Sequence, residues 1–160
     1  MNIFKPTFSI KPYVVTLGFC ILFIIVYRHP SVCSFRPLII FFFLCYLFIL
    51  IIYPTMHYKL KEKEMLFICG PFISRIKYHE IKKISNLKNF KCLGVGVGIP
   101  GYYLGYCFSR EAPIIVYATS LTDIIMIETA KRRYVISPKN KDIFLEFLKE
   151  KITLTELKIG

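Results

Sequence analysis

GVGVGIPGYYLGY, residues 94–106, can be read toward two different folds. Within it, Gly96-Val97-Gly98-Ile99-Pro100-Gly101 spells G-x-G-x-x-G. A dinucleotide-binding turn needs a strand before that spelling and a helix opening inside it, so that the pyrophosphate rests on the helix N-terminus. Here Gly101 is followed by Tyr-Tyr-Leu-Gly-Tyr, which favours a strand, and no useful helix fits before Pro113. Asp123 is placed like a ribose-binding acid, but it opens a strand where that acid should end one. The glycines therefore read as bulges and tight bends in a sheet that curves on itself. A nucleotide-binding membrane enzyme built on 96–101 is the reading this context disfavours.

The flanking sequence supports a sheet. Apolar or alternating runs at 57–61, 65–69, 72–78, 102–108, 114–118, 123–129 and 133–136 predict about seven strands, separated by turn residues such as Gly70-Pro71. Ile81, Ile84 and Leu87 recur every three residues and predict a helical turn or pinned loop over 79–87. Ser137-Pro138 reads as a helix start, with Ser at the cap and Pro at the first position. Ile143, Phe144, Phe147, Leu148 and Ile152 then share one face of an amphipathic helix. Strands closed by one C-terminal helix leave no room for alternating βαβ units.

The first third of the chain is different. Residues 13–27 (YVVTLGFCILFIIVY) and 38–53 (LIIFFFLCYLFILIIY) carry no charge, and all 10 acidic residues lie at or beyond Glu62. Each run is near the short end of a bilayer span, with tyrosines at its ends and Lys11 and Arg28 able to reach outward. Both are apolar all round, unlike a surface helix. No convincing cleavage site follows the first run, and a second apolar run comes after it. A two-helix membrane hairpin (about 13–28 and 38–54) is expected within residues 1–56. A re-entrant hairpin is the alternative. Lys5 and Lys11 before it, and Lys59, Lys61 and Lys63 after it, outnumber Arg28 and Arg36 in the loop, which favours both ends inside.

The net charge is +12. Beside a bilayer such a balance draws a domain toward anionic headgroups. The clusters able to make such contacts, or contacts to an acidic partner, are Lys59, Lys61, Lys63 and Lys131, Arg132, Arg133. For Lys59, Lys61 and Lys63 ordinary positive-inside flanking is the favoured explanation, and the plain reading of 131–133 is a solvated turn. Nucleic acid would need one continuous basic stripe with stacking aromatics, so it is not expected. The cysteines, Cys20, Cys33, Cys45, Cys69, Cys92 and Cys107, form no C-x-x-C pair. They read as reduced, buried thiols, as on the cytoplasmic side. His29, His57 and His79 lack metal-ligand spacing, and no nucleophile motif is present. Neither catalysis nor a cofactor is expected.

The second half resembles a known family. Pro100-Gly101 with Gly105, Tyr117-Ala118-Thr119, Ile127-Glu128-Thr129, Ile136-Ser137-Pro138 and Phe144 follow in that order, with Gly98 just ahead. Together they resemble the bacterial pleckstrin-homology-like (PH-like) domain family over roughly 57–150. Its members often follow two membrane helices. The resemblance implies a bent sheet of about seven strands capped by one helix, with no catalytic residues to carry over. The expectation is a membrane hairpin plus a PH-like domain (57–152) and a tail (153–160), multi-pass in the cell membrane with the domain cytoplasmic. It would bind a protein partner or itself, or else anionic phospholipid.

Overall fold

The computed structural model of the protein describes residues 2–7, 9–29, 34–91, 93–99, 101–109 and 112–156. Cys33, Cys92 and Pro100 fall outside them. Two helices lie in the first third of the chain, α1 (Lys11–Arg28) and α2 (Arg36–Ile52), each with proline in its first turn, where the missing N–H costs nothing. They meet through aromatic rings: Phe23 stacks on Phe43 with centroids 4.2 Å apart, and Phe19 tilts against Tyr46 at 5.3 Å. The Thr16 hydroxyl donates to the Pro12 carbonyl at 2.6 Å and lies 3.2 Å from the Tyr46 hydroxyl. In α1 only Pro12 and Thr16 are buried, and in α2 only Ile52. Both helices are long and apolar enough to cross a membrane, and their exposure is unlike that of core helices.

Among the described residues, ten strands and a third helix keep to the expected plan with three additions. One sheet has the order β1-β2-β3-β4, from Asn2–Phe4, His57–Leu60, Glu64–Cys69 and Phe72–Lys77. The other has the order β5-β9-β10-β8-β7-β6. Its strands are β5 (Ile81–Asn89), β6 (Gly94–Ile99), β7 (Tyr102–Cys107), β8 (Ile114–Ala118), β9 (Thr122–Thr129) and β10 (Arg133–Ile136). The additions are β1, β5 and β6. β1 comes from the N-terminal side of the helices and pairs antiparallel with β2, Phe4 opposite Tyr58. Both ends of the hairpin therefore meet in one sheet.

The expected helical turn at 79–87 is a short 3-10 turn (Tyr78–Glu80) followed by strand β5. A bulge between Ile81 and Lys83 resets the alternation, so Ile81 and Ile84 join the main core while Leu87 packs on the opposite face. The three-residue spacing thus came from a bulged strand with both faces occupied.

Both faces of the larger sheet are covered. One faces the smaller sheet and α3 (Lys141–Glu156), burying Tyr58, Phe67, Ile125, Ile127, Phe144 and Leu148. The other encloses Ile114, Val116, Ala118, Ile124 and Val135. Curvature explains the second core. Residues 90–93 join the two edges β5 and β6, and the five steps from Asn89 to Gly94 reach about 18 Å. Five strand spacings across a flat sheet would be about 24 Å. The sheet must curl, and Phe90 in the connection packs into the second core. β8, buried at all five positions, shows the consequence in sequence as a run without alternation.

The helix start is corrected too. α3 begins at Lys141, and Ser137 and Pro138 are buried ahead of it. Ser137 Oγ accepts from the Thr119 amide at 2.7 Å, and Pro138 bridges to Pro6. Of the predicted apolar face, Phe144 and Leu148 are buried, but Ile143 is 46% exposed. α3 continues through 153–156, within the stretch read as a tail. Cys107 is disulfide-bonded rather than a reduced thiol. Cys20, Cys45 and Cys69 are free, and only Cys69 of these is buried.

Candidate functional site

The glycines serve the close approach of two strands. Gly96 lies directly opposite Gly105 in the β6–β7 hairpin. A Cβ on Gly105 would sit 2.5 Å from the Val95 carbonyl oxygen, and one on Gly96 would strike the Leu104 carbonyl. Gly101 turns the hairpin at φ 90°, and a Cβ there would be 2.8 Å from the Ser9 side chain, just before α1. β7 follows immediately, so no helix N-terminus is available for a pyrophosphate. Asp123 takes a left-handed φ of 53° and is ion-paired to Lys141 at the start of α3.

The hairpin forms one side of a cavity of about 720 Å³ between α2 and the core face of the larger sheet. Phe41, Cys45, Phe48 and Ile52 recur along one stripe of α2 and form its first wall. Val95 and Val97 of β6, Leu104 and Tyr106 of β7, and Ile115 of β8 form the second, and Phe72 of β4 adds a rim. No lining residue is charged. The Tyr102 hydroxyl lies 3.3 Å from Cys69 Sγ, and the Tyr117 hydroxyl 3.0 Å from Ser74 Oγ. Burial pushes both hydroxyls above their ordinary pKa, so they stay neutral and turned toward the protein. The cavity is built for apolar contact and offers no acid–base pair. Among the described residues, no group of three His, Cys, Asp or Glu could hold a metal.

β6 borders this cavity and pairs, among the described residues, only with β7. Its sequence, GVGVGI, has no charge and no proline, and Val95 is 68% exposed. An uncharged edge strand is a template for further pairing. The other edges of this kind are charged: β5 carries Lys82, Lys83 and Lys88, and β4 carries Arg75 and Lys77.

The basic candidates occupy two separate turns, β2 and the start of β10. Lys59 is half-buried in β2 between Ile3 and Leu66. Lys61 and Lys63 lie in the β2–β3 turn beyond the end of β2, and Lys61 Nζ is 3.1 Å from Glu64. Lys131 and Arg132 are exposed in the β9–β10 turn, where Thr129 Oγ1 accepts from the Arg132 amide at 3.1 Å. Arg133 is 3.9 Å from Glu128. Of the family-motif positions, Ser137 and Phe144 make packing or hydrogen-bond contacts that join elements. Gly98 is exposed in β6, with open space where a Cβ would be. The Ser137 amide donates to the Tyr58 hydroxyl at 3.3 Å, which donates to the Tyr117 carbonyl at 2.7 Å and ties the two sheets. Phe144 meets Phe4 edge-on at 5.1 Å. Sequence reasoning missed β1 and the cavity; the uncharged GVGVG run was the one available signal for the open edge.

No curated protein and no solved structure gives a match to the chain. The family model described as "Bacterial PH domain" matches residues 56–152, which begins at the end of the helical hairpin and closes inside α3. With its curved strands and closing C-terminal helix, the chain belongs to the bacterial PH domain family.

Proposed function

We propose that this chain is a non-catalytic module, anchored in a membrane by α1 and α2, that captures an extended protein segment along the β6 edge. The segment comes from a partner or from a second copy of the chain. The observation that carries this reading is the uncharged, unblunted β6 edge beside an apolar cavity. Strand addition draws affinity from backbone hydrogen bonds and selectivity from pockets for alternate side chains. A photoreactive residue at Gly98, where an added Cβ meets no atom within 4 Å, tests it in native membranes. An adduct of one defined mass is expected, absent when Val95→Lys is added. An adduct that survives Val95→Lys refutes strand addition.

Headgroup recognition through Lys59, Lys61, Lys63, Lys131, Arg132 and Arg133 is the lesser reading, since Lys61 and Arg133 already face acids. Neutralising Lys131, Arg132 and Arg133 leaves the Gly98 adduct intact if the edge is the site. Flanking charge favours both ends of the hairpin inside the cell membrane, with the domain cytoplasmic. The Cys107 disulfide pulls the other way, because such bonds persist in oxidising compartments. A membrane-impermeant thiol reagent separates the two: Cys33 labelled in intact cells supports the cytoplasmic domain, and Cys33 labelled only after lysis overturns it.

A further inference from the structure

The geometry points to the cavity between α2 and β6–β8 as a binding site for one hydrocarbon chain of a membrane lipid. About 720 Å³ lies within the roughly 300–1,000 Å³ of small-molecule sites. The lining is uncharged, and the hydroxyls of Tyr102 and Tyr117 are engaged with Cys69 and Ser74. A peptide placed inside it would leave its backbone groups unpaired, at a cost an alkyl chain does not incur. The β6 edge can still pair outside the cavity, because its backbone and its Val95 and Val97 side chains serve different contacts. One wall is a stripe of α2, a helix long and apolar enough to cross a bilayer. A chain already in the bilayer would reach the cavity along that stripe without passing through water. The site rests on α2 standing in the membrane and is independent of strand addition at β6.

The test uses the full-length protein in phosphatidylcholine nanodiscs, with a photoactivatable diazirine in one acyl chain of the lipid. Adducts are expected at Leu104 and Tyr106 as well as on the Cys45 and Phe48 stripe. Cys45→Trp, which fills the cavity from α2, should lower labelling of Leu104 and Tyr106 by roughly tenfold. Leu104→Trp, filling it from the sheet, should do the same for Cys45. Labelling spread over every face of α2 and absent from β7 is the pattern of surrounding lipid and overturns the site. Unchanged labelling in both Trp variants overturns it as well. Intact mass after purification, with free fatty acid added in a parallel arm, tells a phospholipid chain from a free acid. Loss of membrane anchoring would appear separately, as protein released by alkaline carbonate.

Discussion

β5 and β6 are the two edges of one sheet, joined by a short connection, yet they are opposite in chemistry. β5 carries Lys82, Lys83 and Lys88, all exposed, and a bulge interrupts its start. Charge and bulges are the devices by which edge strands avoid chance pairing. β6 has neither, and its glycines let it approach β7 closely. The same fold thus protects one edge and leaves the other open beside an apolar cavity. An edge kept open while its counterpart is guarded points to use.

The largest effect should come from the glycine pair. Gly105→Val drives a side chain into the Val95 carbonyl and should cost about 3 kcal/mol in denaturant unfolding of the full-length protein. Lys83→Val on β5 should stay within about 0.5 kcal/mol. Equal costs would mean that β6 does not need its close approach. β2 supplies the third term, because its free edge is covered by β1. Phe4 meets Phe144 and Phe147 at 5.1 and 5.8 Å. Phe4→Ala should cost about 2 kcal/mol, less than the roughly 3–5 kcal/mol of a fully buried Phe. It should also promote concentration-dependent association as the β2 edge loosens.

A smaller effect should appear at high pH, at the turn that leads into β5. Burial and the nearby Glu64 carboxylate push the Tyr78 hydroxyl from 10.0 up to about 12. The folded state favours the neutral phenol. Its contribution is therefore complete below pH 10 and lost as pH rises through 12. Unfolding followed by tyrosinate absorbance should show this alkaline loss, and Tyr78→Phe should flatten it. Stability unchanged across that window would contradict the burial. The smallest effect on stability belongs to the edges themselves. Val95→Lys should shift it by no more than about 0.5 kcal/mol while abolishing capture at β6. Replacing Lys82 and Lys83 with Val should create a second adhesive edge, detected as new self-association in analytical ultracentrifugation.

What the sequence revealed depended on how many faces each segment buries. The two uncharged runs and the strands from Tyr102 to Ile136 were legible because their patterns are long or bounded by turns. β5 was misread because its bulge puts Ile81 and Ile84 on one face, while Leu87 serves the second core. β1 was invisible: three residues carry no period, and its place comes from pairing with β2 and from the contacts of Phe4 with Phe144 and Phe147. Ser137-Pro138 imitated a helix start because Ser and Pro also suit a buried crossing, where Ser137 joins Thr119 to Tyr58. The cavity had no local signature at all. It exists because α2 and three strands, distant in sequence, leave a gap where they meet.

The pairing of β1 with β2 sets an order of events during synthesis. β1 leaves the ribosome first, but its partner emerges only after both helices have been made. With the helices in a bilayer, Phe4 can reach Tyr58 only if both ends of the hairpin finish on the same side. A chain inserted with its ends apart would leave β2 uncovered and Phe144 without its aromatic neighbour. The smaller sheet can therefore be completed only by a chain whose two hairpin ends share one side.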